Sequence, residues 1–91
     1  MKVAELLAKP ENWTQGAHAR DSEGRAVHWK SPEAVCWCLE GATLRCYPDA
    51  SFREAEERLI DAVESWDYQY WNDRHGRTHA QVIALVQKAG I

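Results

Sequence analysis

Three cysteines and four histidines are the first residues in this sequence whose types could support chemistry. Cys36, Cys38 and Cys46 lie within eleven residues, and an odd number of thiols is a poor disulfide framework. A structural zinc site needs four ligands around one ion. The pattern predicts all three cysteines on one helix, where Cys36 and Cys38 point about 200° apart and Cys38 and Cys46 lie about 12 Å apart. We therefore expect buried apolar thiols, with no metal site, no thiol nucleophile and no cofactor.

The segment 71–78 holds the densest group of polar residues that could act together. Asp73, His75 and Arg77 could form an exposed recognition cluster or, as a lesser alternative, the catalytic group of a small enzyme. A structural role is favoured, because Asn72 and Asp73 are typical of Asx-turns and Arg77 could pair with Asp73 in a bidentate ion pair. The histidine pairs His75/His79 and His18/His28 do not suggest metal ligation. We assign no catalytic residue.

Four aromatic residues lie just before that segment or at its start: Trp66, Tyr68, Tyr70 and Trp71. In an extended chain Trp66, Tyr68 and Tyr70 would line one side. We favour the interpretation that these side chains pack over and close the hydrophobic core. Because Trp and Tyr are also enriched among interface hot spots, a surface for a protein partner or a homodimer is the alternative.

The charge distribution argues against a large nucleic-acid interface. The net charge is −3, and residues 48–67 carry seven acidic and two basic side chains. Nucleic-acid binding needs strong basic patches, and this chain has none of substantial size. No apolar run is long enough for a membrane span, and residues 1–10 lack the features of a signal peptide. We expect a cytoplasmic protein with no membrane contact.

The positions of these residues depend on a mainly helical fold. Apolar periodicity predicts about four helices, and 17–20 and 25–29 predict a small β-hairpin around the turn 21–24. The first predicted helix ends at Pro10, and the second runs from Ser31 to about Cys46. The third begins at Ser51 and frays between Ser65 and Tyr70. The fourth begins at Thr78 and is stopped by Gly90. The fold class is therefore mainly α (α+β), a single compact domain over residues 1–91, with five tryptophans expected to dominate the core.

Polar residues precede the predicted helices at the positions that caps occupy. A serine before Pro32 marks one helix start, and two capping boxes mark others. The residues expected to act as structural caps are Ser31, Ser51, Asn72, Asp73, Thr78 and Gln81.

Three segments stand out by their combination of tryptophan with small and polar residues: Trp13-Thr-Gln-Gly-Ala17, Ala34-Val-Cys-Trp-Cys-Leu-Glu-Gly-Ala42 and Trp71-Asn-Asp-Arg-His-Gly-Arg-Thr78. Through its W-C-x-x-G-A and W-N-D…G-R-T patterns, nearly the whole chain resembles a family of small phage and bacterial proteins of unknown function. The resemblance implies one domain and supplies no activity or cofactor. Cys36 and Cys46 lie outside the family pattern.

These observations favour a non-enzymatic interaction or accessory protein, with a phage or mobile-element setting implied by the resemblance. Its surface is expected to combine the acidic face of the third helix with the segment 66–77. The alternative is a small regulator that binds or mimics nucleic acid. An enzyme using Asp73, His75 and Arg77 is the least favoured hypothesis.

Overall fold

Five α-helices and three two-residue strands make up the fold in the computed structural model, which describes residues 1–91. The helices are α1 (Val3–Leu6), α2 (Leu39–Cys46), α3 (Ser51–Val63), α4 (Tyr68–Asp73) and α5 (His79–Ala89), and a 3₁₀ turn covers Pro10–Asn12. The strands are β1 (Ala19–Arg20), β2 (Ala26–Val27) and β3 (Cys36–Trp37). The mainly helical class with a small β component is confirmed, with one helix and one strand more than predicted. None of the helices has the length and apolar content needed to cross a lipid bilayer.

The predicted hairpin is present and forms part of a three-stranded antiparallel sheet. β1 lies in the centre, with Ala19 opposite Val27 of β2 and opposite Trp37 of β3. The turn is held by Asp21, whose Oδ1 accepts hydrogen bonds from the backbone N–H groups of Glu23 and Arg25. The Arg25 amide and guanidinium hold the pKa of the Asp21 carboxyl below its usual value.

The prediction of a helix from Ser31 to Cys46 is wrong over its first half, because α2 covers only Leu39–Cys46. Ser31 lies outside every helix, and its Oγ accepts a hydrogen bond from the Glu33 amide in a local turn. The chain then pairs with β1, since the Val35 amide donates to the Arg20 carbonyl at 2.9 Å. α2 begins only at Leu39, where Cys38 is the N-cap residue. Non-local strand pairing therefore prevails over a local helix signal.

α3 begins at Ser51 as predicted, but Ser51 is not its cap. The Asp49 carboxylate accepts hydrogen bonds from both the Ser51 hydroxyl and the Ser51 amide, and these bonds lower the pKa of Asp49. The helix ends at Val63 because Glu64 adopts a left-handed conformation with φ of 64°. Trp66 consequently lies beyond the helix and does not extend its apolar stripe.

α5 has the capping box that the sequence predicts. The Thr78 hydroxyl accepts a hydrogen bond from the Gln81 amide, and the Gln81 side chain accepts one from the Thr78 amide. Gly90 ends the helix with a φ of 73°. The core is assembled from all five helices and the sheet. Its largest fully buried side chains include Leu7, Leu39, Leu59, Val82 and Val86.

The expectation that tryptophans dominate this core is wrong. Trp37 is the one buried tryptophan, with 6% of its surface exposed. Trp13, Trp29 and Trp71 are half-buried and pack around the core, whereas Trp66 is exposed. Aliphatic side chains fill the interior instead.

Candidate functional site

Asn72 is a fully buried polar residue that connects three distant parts of the chain. Its side-chain carbonyl accepts hydrogen bonds from the Trp13 indole at 2.8 Å and from the Leu39 amide at 3.1 Å. Its side-chain NH₂ donates to the Thr14 carbonyl and to the Asp73 carboxylate. We call this network, with the segment 13–16, the Asn72 junction. Every polar atom of the Asn72 side chain is satisfied, so the residue fixes tertiary structure.

Asp73 and Gln15 complete the junction at its outer edge. The Asp73 carboxylate accepts a hydrogen bond from the Gly16 amide at 3.0 Å. The Gln15 side chain donates to the Asn72 and Arg74 carbonyls at the end of α4. Asp73 was expected to form an Asx-turn and to pair with Arg77, but its observed partners lie in the segment 13–16 and within α4.

Gly41 belongs to the same region because the hairpin backbone passes directly over it. A Cβ atom built at Gly41 would lie 1.9 Å from the His18 carbonyl oxygen. The neighbouring Cys38 amide donates a hydrogen bond to that carbonyl at 3.2 Å. A side chain at position 41 is therefore incompatible with the observed contact between α2 and the hairpin.

The three segments that carry the family resemblance thus meet in one place. The first contributes Trp13 and Gln15, the second Leu39 and Gly41, and the third Asn72 with its neighbours. Their side chains and backbones bond to one another across more than thirty residues of sequence. This convergence gives Trp13, Gln15, Leu39, Gly41 and Asn72 a role in holding the three segments together.

Asp73, His75 and Arg77 do not form one cluster. Asp73 is held by the junction, and His75 is exposed. The Arg77 guanidinium lies over the Trp71 ring, 3.8 Å from its centroid, and donates a hydrogen bond to the Trp71 carbonyl at 2.8 Å. Of these three residues, only Arg77 lines one of the recesses in the surface.

The aromatic segment 66–71 is mostly helical and not extended as considered from the sequence. Asp67 caps α4 by accepting a hydrogen bond from the Tyr70 amide. The helical turn separates the aromatic side chains: Tyr68 is buried, and Trp71 is half-buried. Trp66 and Tyr70 point to solvent, with 78% and 66% of their surfaces exposed.

Tyr68 anchors α4 to α3 from inside. Its hydroxyl donates a hydrogen bond to the Glu56 carboxylate. Burial, together with this bond, raises the pKa of Tyr68 well above its ordinary value. Burial also raises the pKa of the Cys38 thiol, whose Sγ accepts a hydrogen bond from the Gly41 amide. Both groups are protonated at neutral pH and act in packing.

The cysteines occupy three different settings. Cys36 lies on β3, Cys38 caps α2 and Cys46 ends that helix, and all three thiols are free. The prediction that all three cysteines lie on one helix is therefore wrong, because Cys36 lies on a strand. No group of three or more His, Cys, Asp or Glu side chains is placed to hold a metal ion.

A shallow groove of about 360 Å³ runs between the end of α3 and α5. Its apolar wall includes Ala62, Val63, Trp71 and Leu85, and its cationic side chains are Arg77 and Lys88. Lys88 donates a hydrogen bond to the Ala62 carbonyl at 3.3 Å. We call the groove, together with the exposed Trp66 and Tyr70, the aromatic face.

The class of protein that these features define is a small helical domain with a closed polar junction and an open aromatic face. The chain belongs to a family of unknown function (DUF6197), whose model matches residues 1–90. No curated protein matches the chain, and neither does any solved structure.

Sequence reasoning missed several residues of these two regions. Gln15 and Trp13 were seen as motif residues, but nothing local indicated that their partner is Asn72. The groove was also missed, because Val63 and Leu85 belong to separate helices. The sequence offered one signal, which is that three segments combine tryptophan with small and polar residues. These segments contact one another in the structure.

Proposed function

We propose that this protein is a non-enzymatic interaction or accessory protein that acts through its aromatic face. The observation that carries the proposal is the exposure of Trp66 and Tyr70, which lie in the segment that joins two residues of an apolar groove, Val63 and Trp71. Large aromatic side chains lose more by remaining in water than most residues do, and they are the side chains that interfaces favour. Of the aromatic residues singled out in the sequence, these two are available for contact.

The residues considered for catalysis are mostly bonded within the chain, and this favours a contact function over catalysis. Asn72 and Asp73 are held in the junction, and Arg77 is held against Trp71. His75 is exposed but has no neighbour from the predicted catalytic group within a shared cleft. A contact function uses the surface as it stands, whereas catalysis requires these groups to be rearranged.

The arginines also favour protein contact over nucleic-acid binding. Several of them already donate to carbonyls or carboxylates of their own chain, so they are not gathered into a free basic patch. These residues are Arg20, Arg25, Arg45, Arg58 and Arg77. The acidic residues Glu57 and Asp61 lie on the exposed side of α3, Glu64 lies just beyond its end, and we expect all three to extend the proposed surface.

The proposed setting is the cytoplasm, and its support is the presence of three free thiols. A phage or mobile-element origin is part of the same proposal, and its support is the resemblance of the three tryptophan-containing segments. Neither setting alters the surface that is expected to make contact.

In-cell photocrosslinking tests the proposal. A photoreactive phenylalanine analogue replaces Tyr70, and a matched control places it at Ser22, which is exposed in the hairpin turn. We expect a discrete protein crosslink from position 70 that is lost when Trp66→Ala is added, and no such product from position 22. Equal crosslinking from both positions, or none from position 70, would contradict a role for the aromatic face.

A further inference from the structure

Trp66 is the one tryptophan of the five whose indole has no polar or cationic partner inside the chain. The Trp13 indole donates a hydrogen bond to Asn72. Each of the other three tryptophans has a cationic side chain over its ring. These pairs are Lys30–Trp29, Arg45–Trp37 and Arg77–Trp71, with cation-to-centroid distances of 5.6, 5.3 and 3.8 Å. The Trp66 ring makes no such contact, and 78% of the residue's surface is exposed.

The cations of α3, α5 and the segment before α5 are engaged elsewhere in the chain. Arg77 lies on Trp71 and donates a hydrogen bond to its carbonyl. Lys88 donates to the Ala62 carbonyl. Arg58 forms an ion pair with Glu54. A cation that covers the Trp66 ring therefore has to come from outside the chain.

The charge next to Trp66 is negative and favours such a cation. Glu64 lies two residues before Trp66, so their Cα atoms are at most about 7 Å apart, and Asp67 follows Trp66 directly. Glu64 and Asp61 are exposed, and neither forms an ion pair within the chain. Unpaired carboxylates beside an open indole attract a cationic group and repel an anionic one.

We propose that the aromatic face binds an arginine-bearing segment of a partner protein, with a guanidinium stacked on the Trp66 indole and Glu64 beside it. Arginine fits this position better than lysine, because its planar and weakly hydrated guanidinium stacks on aromatic rings. The Arg77–Trp71 pair is the same contact made within the chain. Tyr70, with 66% of its surface exposed, offers a second ring in the same segment. This inference rests on the proposed function, because it states the chemistry of the partner.

Titration of the full chain with a short labelled peptide that alternates arginine and glycine tests the site. We expect weak, saturable binding by fluorescence anisotropy, weaker binding of the corresponding lysine peptide, and no binding of the glutamate peptide. Trp66→Ala should weaken arginine-peptide binding about twofold to fivefold, the range expected for an exposed cation–π contact. Val35→Ala, which shortens another exposed apolar side chain, is the matched control and should leave binding unchanged.

Nuclear magnetic resonance locates the contact on the protein. The indole N–H signal of Trp66, assigned by its loss in Trp66→Phe, should shift as the arginine peptide is added. The Trp13 indole signal should stay in place, because that N–H is bonded to Asn72. A peptide attracted only by the net charge of the protein would not single out one of the five indoles.

Neutralising carboxylates in matched pairs tests the contribution of charge. Asp61→Asn combined with Glu64→Gln should weaken arginine-peptide binding and reduce its dependence on salt. Glu11→Gln combined with Glu33→Gln removes the same net charge at exposed positions elsewhere and should leave binding unchanged. Circular dichroism establishes that each variant is folded.

A Trp66 indole signal that stays in place, or binding that Trp66→Ala leaves unchanged, overturns the guanidinium site. Equal binding of the arginine and lysine peptides overturns the stacking, and equal effects of the two neutralised pairs overturn the role of Glu64. If position 70 crosslinks to a protein in cells but the arginine peptide does not bind, the proposed function stands and the partner's chemistry is wrong. If both measurements fail, the aromatic face has no contact role.

Discussion

The Asn72 junction and the aromatic face are built from similar residues with opposite outcomes. In the junction, the Trp13 indole and the Asn72 amide find partners within the chain. On the aromatic face, Trp66 and Tyr70 remain in solvent although they lie within a few residues of Asn72. Residue type alone therefore does not tell which of these side chains bond within the chain and which remain in solvent.

This comparison predicts that changes in the junction cost stability and that changes on the aromatic face cost association. The expected loss in the free energy of unfolding is largest for substitutions in the buried junction and smallest for substitutions at the exposed aromatic side chains.

Gly41→Ala should have the largest effect. Alanine is normally favoured over glycine in a helix by about 1 kcal/mol. Here the new methyl group meets the His18 carbonyl, so we expect a loss of at least about 3 kcal/mol in the free energy of unfolding. Chemical denaturation measures this change.

Gly24→Ala is the matched control for that substitution. Gly24 has a φ of 81°, and its Cβ position is open. Only backbone strain is added there, with an expected cost of about 1 kcal/mol. A Gly41→Ala protein as stable as the Gly24→Ala protein would show that the hairpin does not pack closely on α2.

Asn72→Ala should cost about 3 kcal/mol, because the Trp13 indole and the Leu39 amide lose a buried acceptor. Asp73→Ala removes an acceptor of the Gly16 amide and of the Asn72 side-chain NH₂, which keeps its bond to the Thr14 carbonyl, and should cost about 1 kcal/mol. Thermal and urea unfolding of both variants provide the comparison. Equal losses would mean that burial does not distinguish Asn72 from its neighbour.

Alkaline pH should destabilise the fold through Cys38. Burial raises the pKa of this thiol above its ordinary value of 9.0. The protonated thiol therefore contributes stability that is fully present below pH 9 and is lost as the pH rises through the folded-state pKa. Serine at this position does not titrate in that range, so Cys38→Ser should reduce the fall in melting temperature above pH 9. A fall of the same size in both proteins would show that Cys38 is not the group responsible.

Trp66→Ala should have the smallest effect on monomer stability, within about 0.5 kcal/mol, because the side chain is exposed. Unfolding at low protein concentration measures the monomer alone. A loss similar to that of Asn72→Ala would place Trp66 among the structural residues and remove the contrast between the two regions.

Local signals in the sequence were enough for α5 and for the hairpin turn. Thr78 and Gln81 make their capping bonds within one helical turn, so their spacing alone predicts the start of α5. The turn at Asp21 is likewise closed by bonds to residues no more than four positions away. Such features depend little on the rest of the chain.

Features that depend on distant partners could not be predicted. β3 replaced the predicted helix start at Ser31 because the Val35 amide bonds to Arg20. Asn72 was interpreted as a turn residue because its partner Trp13 lies 59 positions away. α4 was missed for another reason, since its six residues are too short to display a helical period.

Hydrogen exchange measured residue by residue tests both regions in one experiment. The division predicts slow exchange for the Leu39 amide, which donates to the buried Asn72 side chain. It predicts rapid exchange for the Trp66 amide, which donates no backbone hydrogen bond and lies beyond the end of α3. A Leu39 amide that exchanges as fast as the Trp66 amide would contradict the account.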